Sequence, residues 1–593
     1  MSTTTSPSLS MLSMGIAFVP VVILILGKHV AESHYAGTAF QQRVIWYSSM
    51  GIAALLALLV VGYHFASSWA EAAYENYNND PATLCDIDAF VTTSTYNTNL
   101  PNKLKVSLAH KIQVRGWQGR TAKTTPYIPV ECTESPHVEG LWVARDVSTK
   151  RKIIDDSNNK EEAYPIADVL TMKQEGDATK HKPPVVIATI RMGFGHHRIA
   201  YSAASWAIKA GHTTIFHDFL NIQSEESDLI KTLDVLYSKF SRLASELGGP
   251  LEKLWGQAMK QGDADGLRIA SLTANQLLPL LQLYPLSTPI VCTHQICALV
   301  ASAIGFTNVV NLVVDNYPQW FLVVPRTLNL TQGPVNYQSY LKMGVPSADL
   351  KLAGHWCPEQ LVSNIDVDCT RRIQRAHCSA HAGNDKYKAR RLVIPVGGAG
   401  AQKSFIINLI EALQDQIRAG RIQLFLNAGD HQHMKVAFEE ILSKCQLDYD
   451  VVTTTQGVRD FQERLLDPSN EPAKAITLFA FPEYFPAVAT TDLLCRVSDL
   501  LTCKPSELAF YPIPKLHIRR VGDHEAYSAI RAAEVNDGSL ECREVKDAIR
   551  LLELCCDPKC DLLESWNTSI MTNHNKLQMY NGCKNAVQWA IEK

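Results

Sequence analysis

The chain has 593 residues, which is enough for two or three domains with full hydrophobic cores. Its formal net charge of −3 gives no reason to expect a nucleic-acid partner, which usually requires a strongly basic surface. The fifteen cysteines are odd in number and follow no regular spacing, so they fit free thiols at least as well as a disulfide framework.

The N-terminal segment is strongly apolar. Residues 44–66 contain no Asp, Glu, Lys or Arg, and as a helix these 23 residues would span a hydrocarbon core of roughly 30 Å. Residues 11–27 are also uncharged and only just reach the necessary length. We therefore predict a membrane anchor over residues 1–66, with one or two transmembrane helices. Lys28 and Arg43 would place the connecting hairpin in the cytosol, but two charges leave the side of the large domain open.

Residues 67–182 are polar, and we predict a linker or a small inserted region there. The following run, 185–190, is largely apolar, as in parallel strands that are covered on both faces. A glycine turn at 193–198, helix-forming residues at 200–210 and a strand predicted at 213–216 complete a strand–loop–helix–strand unit. Such units are the repeat of a doubly wound sheet.

The same pattern continues and then restarts in the second part of the chain. Strands are predicted at 289–293, 309–314, 392–396, 422–426 and 476–479, and helices at 404–417 and within 543–593. The basic segment 366–390 is predicted as an interdomain linker. The predicted fold class is therefore α/β, with two Rossmann-like doubly wound domains over residues 183–365 and 391–593. We expect them to face each other across a cleft.

Both predicted domains open with a glycine turn between a strand and a helix. Such a turn points backbone N–H groups and the positive end of a helix at an anion, usually a phosphate. Arg198 is too large for the third glycine of a dinucleotide site, and Gln402 stands where a P-loop has glycine before its lysine. We therefore expect neither NAD nor ATP chemistry, and no cofactor.

Two short clusters suggest metal ligands at first sight. They are His431-x-His433 and the group Cys555-Cys556-x3-Cys560. Neither has a second ligand pair at zinc spacing, so no metal site is predicted.

Five segments together resemble one family of enzymes. They are Gly193-x-Gly195-His196, Asp315 to Phe321, Leu392 to Gln402, Asp499 to Ala509 and Gly522 to Ala526. In their order and spacing they are similar to the motifs of two-domain GT-B glycosyltransferases. Within these, they resemble the group of monogalactosyldiacylglycerol synthases, diacylglycerol glucosyltransferases and the lipid-linked muramyl-pentapeptide glucosaminyltransferase. The resemblance covers about residues 185–545.

The resemblance implies a nucleotide-sugar donor and a lipid or other hydrophobic acceptor. The implied donor-binding residues are Gly397, Gly398, Ala399, Gly400, Lys504, Ser506, Glu507 and Glu525. The implied acceptor-side residues are Gly193, Gly195 and Trp320, and the implied catalytic residues are His196 and Asp315.

Elementary chemistry agrees with these roles. N–H groups between Gly398 and Gln402, with Lys504, would stabilise a leaving diphosphate. Glu507 or Glu525 would accept hydrogen bonds from ribose or sugar hydroxyls. His196 is suited to act as general base towards an acceptor hydroxyl.

Purely structural interpretations also remain open for individual residues. His196 could be a helix-start residue with no catalytic part, and Asp315 an N-cap or turn residue. Lys504 could be a solvated lysine, Trp320 a core residue and Glu507 a helix-start charge. The run Pro505-Ser506-Glu507 is shorter than the family's glycine-rich turn, which keeps a non-catalytic membrane scaffold as an alternative. A nucleotide-sugar epimerase of the same fold is a further alternative.

Overall fold

The computed structural model describes residues 130–146, 163–171, 182–222, 277–380, 388–397, 402–557 and 559–592, with scattered residues in 43–68 and 227–274. The chain forms two compact units, one of residues 1–83 and 97–118 and one of residues 84–96 and 119–593. In the first unit, the described residues between 43 and 68 are helical. Among the described residues, no helix is both long and apolar enough to cross a membrane. The predicted transmembrane helix at 44–66 is therefore unsupported, and the one at 11–27 lies outside the described residues.

In the second unit, the described residues form two sheets. The first is a mixed sheet of nine strands, and we call this sheet together with its helices the first half. The strand order is β3-β1-β2-β5-β4-β6-β7-β8-β9. From β2 across to β9 all neighbours are parallel, and β1 runs antiparallel to β2 and β3. The strands are β1 (Val130–Glu134), β2 (Leu141–Asp146), β3 (Ala163–Pro165), β4 (Val185–Thr189), β5 (Thr214–Asp218), β6 (Ile290–Cys292), β7 (Val309–Leu312), β8 (Leu328–Thr331) and β9 (Leu350–Leu352).

Helices cover both faces of this sheet. They are α1 (Ile166–Thr171), α2 (Gly195–Lys209), α3 (Gln295–Ile304) and α4 (Pro334–Met343). All five residues of β4 are buried, which explains its nearly continuous apolar sequence. The predicted strand–turn–helix–strand unit is thereby confirmed as β4, α2 and β5.

Strands β1 to β3 lie in the segment predicted as a polar linker or small insertion. They instead extend the edge of the first sheet, because β2 pairs in parallel with β5. Leu141 and Ala144 of β2 are completely buried. These strands are short and separated by polar loops, so their sequence alone did not reveal that they join the sheet.

A second sheet, with six strands in the described residues, forms the second half. Its order is β12-β13-β11-β10-β14-β15, and all neighbours are parallel. The strands are β10 (Arg390–Pro395), β11 (Ile422–Gly429), β12 (Tyr449–Val452), β13 (Ile476–Ala480), β14 (Leu500–Cys503) and β15 (Lys515–His517). The helices that follow β9 are α5 (Glu359–Val362), α6 (Ile365–Ala380), α7 (Lys403–Arg418), α8 (Gln432–Lys444), α9 (Thr455–Leu466), α10 (Tyr484–Val497), α11 (Ala526–Glu534), α12 (Val545–Cys556), α13 (Leu562–Leu577) and α14 (Gly582–Glu592). The prediction of two α/β halves is confirmed; the second sheet is parallel throughout, and the first is parallel from β2 to β9.

The basic segment predicted as a linker over 366–390 is largely helix α6, which packs against α13. Its arginines are buried rather than solvated. Arg371 donates to the Arg496 carbonyl at 2.7 Å and Arg372 to the Ser498 carbonyl at 2.9 Å. Arg375 lies 3.1 Å from the carboxylate of Asp499. The positive charges therefore fasten α6 to the second half.

The last helix, α14, returns to the first half, although residues 391–593 were all predicted to belong to the second domain. Its apolar face, with Cys583, Ala586 and Val587, lies in one hydrophobic cluster with residues of the first sheet such as Leu141 and Val185. A face of the first sheet is thus covered by the end of the chain.

The chain passes between the two halves twice, near residue 355 and near residue 580, and the two segments are hydrogen-bonded to each other through their backbones. The N–H of His355 donates to the Met579 carbonyl at 2.7 Å, and the N–H of Gly582 donates to the His355 carbonyl at 3.0 Å. Gly354 has a φ of +99°, and a Cβ there would lie 2.5 Å from the Met579 oxygen. Glycine is therefore required at this crossing.

Candidate functional site

A cavity of about 290 Å³ lies where the carboxyl ends of the two parallel sheets face each other. Its first-half wall comes from the loops that follow β4, β6 and β7. Its second-half wall comes from the segments that follow β10, β14 and β15. Ligands of open α/β sheets bind at this edge of the strands, so the cavity is the candidate site.

Most of the predicted site residues meet in this cavity, although the sequence spreads them widely. The residues that line it are Gly193, Gly195, His196, Asp315, Gly397, Lys504, Ser506, Glu507 and Glu525. Trp320 instead belongs to the hydrophobic core of the first half and is 8 % exposed, while its neighbour Phe321 lines the cavity. Gly398, Ala399 and Gly400 lie outside the described residues.

His196 lies in the first turn of α2, directly after the glycine turn. Its Nδ1 lies 2.6 Å from the Thr293 carbonyl oxygen. A carbonyl oxygen can only accept, so Nδ1 carries the hydrogen and Nε2 keeps its lone pair. Burial lowers the pKa of His196 below 6.5, and the Thr293 hydrogen bond only partly opposes this. A neutral imidazole with a free basic nitrogen therefore lines the cleft.

His294 is a second cleft histidine, which the sequence analysis did not single out. It is 3 % exposed, caps α3, and its ring lies 4.5 Å from that of His196. Its Nδ1 accepts the N–H of Ile296 at 3.2 Å. Burial, followed by the nearby His196, lowers the pKa of His294 well below its ordinary value. The polar stretch Thr293-His294-Gln295, between a strand and a helix, could have indicated His294 as a site residue.

Glu507 of the second half occupies the anion position at the start of α2. A Cβ on Gly195 would lie 3.3 Å from Glu507 Oε2, so glycine leaves room for this carboxylate. Glu507 Oε1 lies 3.5 Å from Nε of Arg198, which is 2 % exposed. The first glycine turn therefore receives the protein's own carboxylate in this arrangement of the halves.

Arg198 extends these contacts further into the second half. Its Nη1 donates to the Val488 carbonyl at 3.1 Å and lies 3.7 Å from Asp492. Burial raises the pKa of Asp492 to about 6, against the opposing effects of Arg198 and a hydrogen bond from Tyr511. Arg198, whose size argued against a dinucleotide site, thus links the two halves.

Lys504 and Glu525 form an ion pair on the second-half wall. Glu525 also accepts the N–H of Val521 at 2.8 Å. Burial would raise the pKa of Glu525, but Lys504 and the other donors lower it overall. Lys504 lies beside the glycine turn, because a Cβ on Gly397 would be 3.4 Å from Lys504 Cε. The cation is therefore placed next to the turn predicted to bind a diphosphate.

Helix α7 starts at the same wall. Gln402, directly before it, has a φ of +73°, and its side chain donates to the Arg519 carbonyl. Gln402 and Ile406 line the cavity, so the positive end of α7 faces the site. Ser506 lies in the neighbouring loop, where its N–H donates to the Lys504 carbonyl at 2.8 Å.

Asp315 follows β7 and faces the second half. Its Oδ1 lies 3.9 Å from Nε2 of His524, which also lines the cavity. Asp315 lies in a bend and begins no helix, so it is not an N-cap, and the alternative of a turn position agrees with the structure. Carboxylates of both halves thus meet histidines in the cleft.

His431, one of the residues considered as a metal ligand, contacts the second glycine turn. Its Nε2 lies 3.1 Å from the Gly397 carbonyl oxygen. Within the described part of the chain, no group of three His, Cys, Asp or Glu side chains is arranged to hold a metal ion.

Two family models match the chain in succession. One, described as "Domain of unknown function (DUF6937)", matches residues 144–342, and the other, described as "Domain of unknown function (DUF6938)", matches residues 345–591. No curated protein matches the chain.

Several solved structures resemble the chain weakly. UDP-GlcNAc 2-epimerase from Neisseria meningitidis, bound to UDP-GlcNAc, is 12 % identical with a TM-score of 0.39, over 69 % of this chain and 100 % of that one. MurG from Acinetobacter baumannii is 13 % identical with a TM-score of 0.31, over 69 % and 100 %. The glycosyltransferase SnogD from Streptomyces nogalater is 11 % identical with a TM-score of 0.30, over 69 % and 98 %. We therefore argue function from the site itself.

Proposed function

We propose that this protein is a glycosyltransferase that moves a sugar from a nucleotide-sugar donor to the hydroxyl of a lipid or other hydrophobic acceptor. The main support for the proposal is one observation. Neutral His196 lines the cleft from the first half, and Lys504 with the start of α7 lines it from the second half. A base and an anion-binding wall across one cavity are the two elements that sugar transfer needs.

On the second-half wall, the donor diphosphate lies at the start of α7. The N–H groups there and Lys504 stabilise the charge that develops as the bond between the sugar C1 and the diphosphate breaks. Gly397, which lies beside Lys504, provides a close backbone approach to the donor. Glu525 and Glu507 accept hydrogen bonds from donor hydroxyls.

On the first-half wall, the acceptor hydroxyl lies at Nε2 of His196. As its oxygen bonds to the sugar C1, its proton passes to this nitrogen, and the nucleoside diphosphate leaves. Met192, Phe194, Val314 and Phe321 line the same side of the cleft, which favours a hydrophobic acceptor. The apolar stretch at 44–66 motivates the further proposal that the enzyme is anchored to a membrane.

Two alternatives each rest on one observation. Lys504 is paired with Glu525, and Glu507 is paired with Arg198, which favours a scaffold whose cleft charges are already satisfied. Asp315, Glu507 and Glu525 line one cavity, and several carboxylates around a sugar ring would suit an epimerase.

Calorimetric titration with a panel of nucleotide sugars, followed by product analysis, separates the three functions. A transferase binds at least one donor and attaches its sugar to an added acceptor. An epimerase changes the donor sugar without an acceptor, and a scaffold gives neither product. Replacing His196 by Ala should abolish transfer and leave donor binding intact, whereas the exposed His433→Ala control should retain transfer. Unchanged transfer by the His196 variant would remove it as the base.

A further inference from the structure

The turn after β6 couples two histidines of the cleft. Thr293 receives the Nδ1–H of His196 on its carbonyl oxygen, and its Oγ1 lies 3.1 Å from the His196 carbonyl oxygen. The same Oγ1 lies 2.8 Å from Oγ1 of Thr189, at the end of β4. The neighbouring His294 is therefore held against His196 by buried polar contacts between β4 and β6.

The hydrogen bonds of the two rings give them opposite tautomers. His196 donates from Nδ1, so its Nε2 can only accept. His294 accepts at Nδ1 from the Ile296 N–H, so in its neutral form Nε2 carries the hydrogen and can only donate. The ring centroids lie 4.5 Å apart and both residues line the cavity, so one acceptor and one donor nitrogen belong to the same part of the cleft.

We propose, on the basis of the transferase function above, that His294 is a second acceptor-binding residue and that the pair selects a hydroxyl group. A single hydroxyl oxygen accepts the Nε2–H of His294 while its own hydrogen points to Nε2 of His196. An alkylammonium group has no lone pair to accept the hydrogen bond from His294. The enzyme is therefore specific for alcohols over amines and forms O-glycosidic bonds.

The transfer step is balanced by these groups. The hydroxyl oxygen forms its bond to the sugar C1 while the bond from C1 to the diphosphate oxygen breaks. The hydroxyl proton moves to Nε2 of His196, and the electron pair of the broken bond leaves with the nucleoside diphosphate. His294 keeps its proton throughout and orients the attacking oxygen.

Two variants of His294 separate this role from that of a helix cap. Asn in place of His294 keeps a side-chain acceptor for the Ile296 N–H, but its shorter side chain holds its own N–H donors back from the position of Nε2. Phe in place of His294 removes both. We expect His294→Asn to retain the thermal midpoint and the calorimetric Kd for the donor, because the donor lies on the other half.

The acceptor probes are dodecanol and dodecylamine in detergent micelles, with dioleoylglycerol as a second alcohol. For His294→Asn, the KM for the alcohol should rise roughly 10-fold, as expected for a lost hydrogen bond in a dry site, with a smaller effect on kcat. The wild-type enzyme should prefer dodecanol to dodecylamine by at least about 100-fold, because a site built around a hydroxyl leaves its own polar groups unpaired with other ligands.

Three results would overturn the inference. A His294→Asn enzyme with the wild-type KM for both alcohols would show that His294 does not contact the acceptor. Equal use of dodecanol and dodecylamine by the wild-type enzyme would refute the selection of a hydroxyl, even if the variants failed to fold. A protein that binds a donor but transfers to neither alcohol would overturn the inference together with the proposed function.

Discussion

The most demanding prediction concerns a buried ion pair behind the donor wall. Lys515 in β15 and Asp537 after α11 are both fully buried, with Nζ and Oδ1 2.8 Å apart. Lys515 also donates to the carbonyls of Tyr511 and Ile513, and Asp537 accepts the hydroxyl hydrogen of Tyr580 at 2.9 Å. Because β15 leads directly into the loop that carries Glu525, this pair fixes one side of the cleft.

Replacing Asp537 by Asn keeps the side-chain size and an oxygen that can accept from Tyr580, but it leaves the charge of Lys515 unpaired. Breaking a buried pair in this way costs about 3–5 kcal/mol. The compact unit that contains the pair covers residues 84–96 and 119–593, so at roughly 2.1 cal/mol/K per residue this loss lowers the thermal midpoint by about 3–5 °C. Differential scanning calorimetry of the purified protein measures the change.

The double variant Lys515→Met with Asp537→Asn should recover a large part of this loss, because neither buried charge then remains. The surface pair of Lys444 and Glu411 has nearly the same separation, 2.7 Å, but is exposed. Lys444→Met should therefore leave the midpoint unchanged within error. The reasoning is refuted if Asp537→Asn lowers the midpoint no more than Lys444→Met, or if the double variant is no more stable than the single one.

Three further predictions concern the cleft and the crossing between the halves. Burial lowers the pKa of His196 against the opposing charges of Asp315 and Glu507. The neutral base should therefore persist below pH 6.5, and kcat/KM should fall only at lower pH. A fall in kcat/KM that is centred above pH 6.5 would contradict this. Replacing Lys504 by Met should weaken nucleoside diphosphate binding about 10- to 100-fold by calorimetry, as for a lost hydrogen bond to a charged group, and an unchanged Kd would remove Lys504 from the donor site. Replacing Gly354 by Ala should destabilise the protein more than replacing Gly305 by Ala. Both glycines have a positive φ, +99° and +102°, but a Cβ at 354 would lie 2.5 Å from the Met579 oxygen, whereas the space at 305 is open. Equal losses of about 1–2 kcal/mol in denaturant titrations would show that backbone strain alone matters.

The sequence predicted the central strands well because they bear an unusually simple pattern. A strand covered on both faces, such as β4, is apolar along nearly its whole length, and the glycine turn marks where it ends. The edge strands β1 to β3 are short and partly polar, so periodicity could not distinguish them from a loop. Their place in the sheet depends on pairing with β5, which is a long-range contact.

Most of the predicted site residues that the structure describes came together because they follow strands whose carboxyl ends meet at one edge. Their roles remain predictions, which the variants above test. His294 escaped notice because its position depends on Thr293 and on the first turn of α3, not on a recognisable spacing. The arginines of α6 were assigned to an interdomain linker because the sequence does not show the carbonyl groups and carboxylate that bind them.

The placement of α14 has a consequence for synthesis in the cell. A ribosome completes the first sheet long before it has made residues 582–592, and while they remain in the exit tunnel one apolar surface of that sheet lacks its cover. The first half thus waits for a helix that is made much later, and nascent chains would depend on chaperones during that interval. A stop codon placed directly before residue 582 should therefore yield aggregates rather than a functional product.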